Sequence, residues 1–198
     1  MSIATLFFAD SMQPENQVLA RGLRRRDPDL LDHLIQQYHY RLFRYLLYLT
    51  GNRQAAEDFF QETWLRVIER GSQYNSKWKF ENWLFTIARN LVIDFRRKKQ
   101  PESLADAAER EGGTQQREFA ALVGVPPIDT LAESEAGQRV MAALAFLPAA
   151  YREVLLLRFQ EDLSLEEIAE VTRAPLSTVK SRLYRGLDEL RVRLEAAS

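Results

Sequence analysis

Between Ser164 and Leu187 the chain carries side chains suited to reading nucleic acid. Ser164, with Glu167 three residues on, forms a capping box, which predicts a helix over 165–171 with Leu165, Ile168 and Ala169 inward. Thr172-Arg173-Ala174 reads as a turn, and Pro175 suits the start of a second helix. On that second helix Val179, Leu183 and Leu187 share one face, while Ser177, Thr178, Lys180, Ser181, Arg182 and Arg185 share the other. Short hydroxyl side chains at a helix start can meet base edges in a major groove. Arginine and lysine further along can reach phosphates or guanine. The same pattern would also arise in a helical hairpin with a solvated face.

A second group lies at 71–79. Tyr74, Asn75, Ser76 and Lys77 mix a ring, an amide and a cation in a polar loop. A base removed from its stack could lie on the ring, bond to the amide and have its phosphates held by lysine. Trp78 reads as the core residue of this loop. The helix that follows carries Arg89, Asn90, Arg96, Arg97, Lys98 and Lys99. The last four make a continuous positive run suited to a DNA backbone. Cations are also favourable at a helix end without any partner.

A third group has the opposite sign. Asp58, Gln61, Glu62, Leu65 and Glu69 recur every three or four residues along one helix, away from Phe60 and Trp64. This acidic stripe with a leucine in it would repel DNA and attract a basic protein surface. Covalent chemistry has little to work with. The chain has no cysteine, and its two histidines, His33 and His39, lie in an amphipathic helix with no paired nucleophile. No metal ligand set, cofactor motif or phosphate loop is visible, so no cofactor and no enzyme activity are expected.

These groups need elements to hold them. At 198 residues the chain makes one ordinary domain or two small ones. Charge divides it more finely. Residues 20–99 carry a net +7, residues 100–137 carry −6, and residues 138–198 are balanced. Period-three-and-four apolar stripes predict helices near 16–25, over 29–50, from about 53 to 70, and over about 80–98. Gly51 can end the second of these and Asn52 can cap the third. Phe80, Trp83, Leu84, Ile87, Leu91 and Phe95 are the expected inward face of the fourth. Further helices are expected over 138–146 and from Pro148 to about Phe159, the latter lending Tyr151, Val154, Leu155 and Phe159 to a core.

The stretch 100–137 holds Gly112-Gly113, Gly124, Pro126-Pro127 and most of the acidic excess. It is longer than the ~12–15 residues usual for a structureless loop inside a domain, so it should join two domains. The expected fold is therefore all-α. An N-terminal extension (1–15) precedes a helical bundle (16–99). A long acidic linker (100–137) then leads to a helix-turn-helix domain (138–198). Met1–Ala9 is apolar but short and lacks a basic start, so no secretory signal is expected. No apolar run nears the ~18 residues of a membrane span, and the expected destination is the cytoplasm.

With those residues in view, the chain resembles the extracytoplasmic-function sigma factors, two-domain initiation subunits of bacterial RNA polymerase. The likeness runs through Thr50-Gly51-Asn52, Ala56-Glu57-Asp58 and Gln61-Glu62-Thr63-Trp64-Leu65-Arg66. It continues in 83–90 (Trp-Leu-Phe-Thr-Ile-Ala-Arg-Asn) and 178–185 (Thr-Val-Lys-Ser-Arg-Leu-Tyr-Arg). The resemblance implies that Asp58, Gln61, Glu62, Leu65 and Glu69 dock on core polymerase. It implies that Tyr74, Asn75, Ser76 and Lys77 capture a flipped base of a melted −10 element, with Arg89, Asn90, Arg96, Arg97 and Lys98 on the adjoining DNA. Ser177, Thr178, Lys180, Ser181, Arg182 and Arg185 would read a duplex −35 element. An anti-sigma factor is the further partner implied, with no membrane insertion by the chain itself. Arg173 stands where the family often has glycine, and a left-handed backbone there would strain it. The alternative reading is a stand-alone helix-turn-helix regulator that binds an operator.

Overall fold

The computed structural model describes residues 15–99 and 135–196, and every regular element in them is helical. Helix α1 (15–25) leads into α2 (Pro28–Thr50), α3 (Arg53–Arg70) and, after a single 3-10 turn at Gly71–Gln73, α4 (Phe80–Lys99). The second group is α5 (Glu135–Ala145), α6 (Ala149–Phe159), α7 (Leu165–Thr172) and α8 (Leu176–Ala196). The expected N-terminal extension and residues 100–134 of the expected linker lie outside the described residues. Among the described residues no helix is long and apolar enough to cross a membrane.

Local sequence explains most boundaries. The Asp27 carboxylate accepts from the Asp29 and Leu30 N–H groups and starts α2. Gly51 ends it at φ 68°, and the Asn52 side chain accepts from the Ala55 N–H at 2.9 Å to start α3. Gly71 is needed for a different reason. A Cβ there would sit 2.7 Å from the Leu23 carbonyl oxygen, so its absence lets α1 lie against the end of α3. Helix α5 begins at Glu135, three residues before the expected start, and runs through Gly137.

In the first bundle α2, α3 and α4 pack on one another around Leu34, Leu42, Leu46, Trp64, Val67, Phe80 and Leu84. In the second, α8 lies across α5, α6 and α7. Helix α6 has no solvent face in its middle: all six residues from Arg152 to Leu157 are buried. Arg152 does structural work there, donating to the carbonyls of Leu144, Ala145 and Leu147 at the end of α5. Burial, with Arg96 nearby, lowers its pKa to about 10, still well above neutral.

The two bundles touch. Helix α4 packs on α7 and α2 on α6, and the buried apolar side chains of both run into one cluster. This corrects two expected core residues. Phe95 is 51% exposed at the far end of α4, and Phe159 is 63% exposed at the end of α6. Phe85, Ala88 and Val92 are buried instead, because α4 has neighbours on more than one side.

Candidate nucleic-acid interface

Helix α8 keeps its polar face outward. Val179 and Leu183 are buried against the bundle, and Ser177, Lys180, Ser181 and Arg185 are exposed, with Thr178 and Arg182 half-buried at the edge. Among the described residues no carboxylate pairs with Lys180, Arg182 or Arg185. The capping box before α7 forms both ways: Ser164 N–H donates to Glu167 at 2.7 Å, and Glu167 N–H donates to Ser164 Oγ at 3.1 Å. The turn between α7 and α8 retains a left-handed residue without glycine. Arg173 sits at φ 52°, ψ 37°. A non-glycine residue there costs about 1 kcal/mol.

The loop before α4 exchanges its two rings relative to expectation. Tyr74 is 1% exposed and packs on Phe80 and Trp83 with centroids 5.9 and 5.4 Å away. Its hydroxyl donates to the Trp78 carbonyl at 2.8 Å, and burial together with the Glu81 charge pushes that hydroxyl up to about 12. Tyr74 thus shapes the loop from inside and offers no open ring face to a base. Trp78, expected in the core, is 44% exposed. Asn75 Oδ1 accepts from the Lys77 N–H at 3.2 Å, and Ser76 turns through φ 57° between them. Between Tyr74 and Phe80, the exposed side chains are therefore Asn75, Lys77 and Trp78.

The cations of α4 do not form the single patch expected. Arg96 donates to the Leu49 carbonyl at the end of α2. Arg97 pairs with Asp94 at 3.2 Å on the surface, and Lys98 is exposed. Asn90 is half-buried. Arg89 turns toward the other bundle, where its Nε donates to Glu153 at 2.8 Å. Burial opposes its charge, but Glu153 outweighs burial and holds the guanidinium above its ordinary value.

The acidic stripe on α3 is intact. Asp58, Gln61, Leu65 and Glu69 are exposed, and Leu65 stands 55% accessible among the carboxylates. Glu62 is half-buried and accepts from Arg66 at 2.7 Å.

Sequence reasoning missed the residues that join the bundles. Arg41 Nε donates to Glu161 at 2.8 Å, and Arg44 reaches the other oxygen of the same carboxylate at 3.4 Å. The Glu161 side chain is 1% exposed. Tyr45 donates its hydroxyl to Glu153 at 3.0 Å, and burial, then that carboxylate, raise its pKa well above the ordinary value. Lys79 stands 3.5 Å from Glu167. Burial alone would raise Glu167; the Ser164 N–H, the nearby Asn82 amide (short of good hydrogen-bond geometry) and Lys79 together hold it below its usual range. The sequence offered at most one hint, the charged pair Arg152-Glu153 abutting the apolar run Val154–Leu157 of α6.

Two sequence profiles match the chain: Sigma-70 region 2 over residues 34–102, and Sigma-70, region 4, over residues 137–190. The extracytoplasmic-function (ECF) RNA polymerase sigma factor SigW of Bacillus subtilis is 34% identical over 88% of this chain and 94% of its own length. Among solved structures, the sigma factor RpoE in complex with the anti-sigma factor NepR from Bartonella quintana superimposes with a TM-score of 0.65. It is 23% identical and covers 83% of this chain and 96% of its own. CnrH in complex with the cytosolic domain of CnrY gives a TM-score of 0.64 at 19% identity, over 92% of this chain and 99% of its own. At these identities the structural likeness is one of fold.

Proposed function

The chain belongs to the ECF RNA polymerase sigma factors, and from that membership we propose that it carries bacterial core polymerase to particular promoters and helps open them there. The observation that carries the assignment of surfaces is their separation by charge. The exposed acidic stripe of α3 and the exposed Ser/Lys/Arg face of α8 lie on different bundles, and neither is neutralised by the other. Asp58, Gln61, Glu62, Leu65 and Glu69 suit a basic, partly apolar protein surface, which is assigned to polymerase. Ser177, Thr178, Lys180, Ser181, Arg182 and Arg185 suit the duplex −35 element.

The −10 element falls to the loop, with Trp78 replacing Tyr74 as the ring that stacks on a base. Asn75 can bond the base edge, and Lys77, Arg97 and Lys98 can hold phosphates. The chain forms and breaks no covalent bond in this scheme. Its contacts to the displaced strand offset unstacking, a few kcal/mol per step. Regulation by an anti-sigma factor is supported by RpoE and CnrH, which share its fold and were each solved with another protein, NepR and CnrY.

Run-off transcription with core polymerase and a promoter library tests the proposal. Protein-dependent transcripts sharing −35 and −10 sequences are expected, and Asp58→Ala with Gln61→Ala should abolish them while helical content is unchanged. No transcripts and no core binding across several polymerases, with operator binding by the protein alone, would overturn it in favour of a stand-alone regulator.

A further inference from the structure

Three guanidinium groups of the first bundle converge on two carboxylates of the second. Arg41 and Arg44 on α2 hold Glu161, and Arg89 on α4 holds Glu153. The α2 arginines are steadied from their own side. The Arg41 guanidinium lies 5.4 Å from the centroid of the Tyr38 ring, and that of Arg44 lies 5.3 Å from the Tyr40 ring. Such a fork of oriented guanidiniums fits phosphate oxygens as well as carboxylates. Helix α4 also leads from Arg89 to Arg97 and Lys98, which are assigned to DNA above.

On the sigma-factor assignment, we infer that Arg41, Arg44 and Arg89 form a binding face for the DNA phosphate backbone that Glu153 and Glu161 occupy in cis. Closed packing of the two bundles and DNA on this face then exclude each other. The chemistry of the seal suits a reversible latch. Desolvating two charges nearly cancels their attraction, so these ion pairs add little net stability to the apolar contact between the bundles. A ligand that competes for one side can therefore shift the equilibrium with modest differential affinity. The latch also hides Arg89 until the second bundle leaves.

The chain has no cysteine, so Ser72→Cys and Asp188→Cys, both exposed and on opposite bundles, allow specific labelling for energy transfer. Adding a random-sequence DNA duplex at low salt should lower the transfer efficiency. Glu153→Lys with Glu161→Lys should lower it without DNA and tighten duplex binding roughly tenfold. Arg41→Glu with Arg44→Glu should also open the pair, yet weaken duplex binding and reduce its salt dependence by about two ions. Adding Glu161→Arg to that variant should restore the transfer, which guards against a variant that merely unfolds.

Unchanged transfer on adding duplex would overturn the inference. So would equal duplex affinity in the two opened variants. These readouts use no polymerase. Failure of the sigma-factor assignment would show separately, as absence of polymerase-dependent transcripts from every variant.

Discussion

Helices α4 and α8 carry most of the cations that the sequence offers to nucleic acid, and they use them differently. On α8, Lys180 and Arg185 stay outside, because the helix packs by one face only. On α4, Arg89 goes to another bundle and Arg96 to the end of another helix, while Arg97 and Lys98 remain outside. The difference follows from coverage. A helix with partners on one side leaves its polar face to function. A helix covered on two sides spends polar side chains on structure, and a stripe of Lys79, Asn82 and Arg89 becomes part of an interface.

The contrast can be broken most forcefully at Phe85. Its ring is buried and meets Tyr45 edge-on with centroids 5.0 Å apart. Phe85→Ala should cost about 3–5 kcal/mol in denaturant unfolding. A loss under about 1 kcal/mol would mean that the second covered face of α4 is not packed in solution.

The cations themselves come next. Arg185→Ala on α8 should leave stability within about 0.5 kcal/mol and cost about 1–3 kcal/mol in −35 duplex binding by the holoenzyme. Arg96→Ala on α4 should do the reverse for stability, lowering it by about 1–2 kcal/mol as the Leu49 carbonyl loses a charged donor. Equal stability losses at both sites would erase the distinction.

Acid titration sharpens the comparison at the contact between α4 and α7. Glu167 is held below its usual range when folded, so it contributes stability that is complete above the unfolded value of about 4.3. That contribution is lost as pH falls through the lowered folded value. Glu167→Gln should therefore be less stable than the parent at neutral pH, by about 1 kcal/mol, and equal to it in strong acid. A constant difference across the titration would remove the carboxylate from this account.

The smallest effect is expected at Arg173. Its left-handed backbone favours glycine, so Arg173→Gly should raise stability by about 0.5–1 kcal/mol in thermal unfolding, with the turn unchanged.

What the sequence disclosed depended on range. The start of α3 and the box before α7 were legible, because Asn52 with Ala55 and Ser164 with Glu167 act within three residues. The outward face of α8 was legible because Val179 and Leu183 fix the inward one. The Arg41–Glu161 contact spans 120 residues and has no local signature. Tyr74 and Trp78 are both aromatic and four residues apart, so composition could not say which would enter the core. Only the cluster of Phe80 and Trp83 around Tyr74 decides it. Phe95 and Phe159 fit their helical periods but lie at the margins of the packed surface, Phe95 against the Phe59 ring at 5.5 Å.

Arg152 adds a mechanical consequence. One side chain rooted in the buried middle of α6 grips three carbonyls around the end of α5. The joint between these helices is thereby stiffened, and α5 with α6 acts as a single lever. Glu153, next to Arg152, and Glu161, just past the end of α6, therefore sit on the same braced unit.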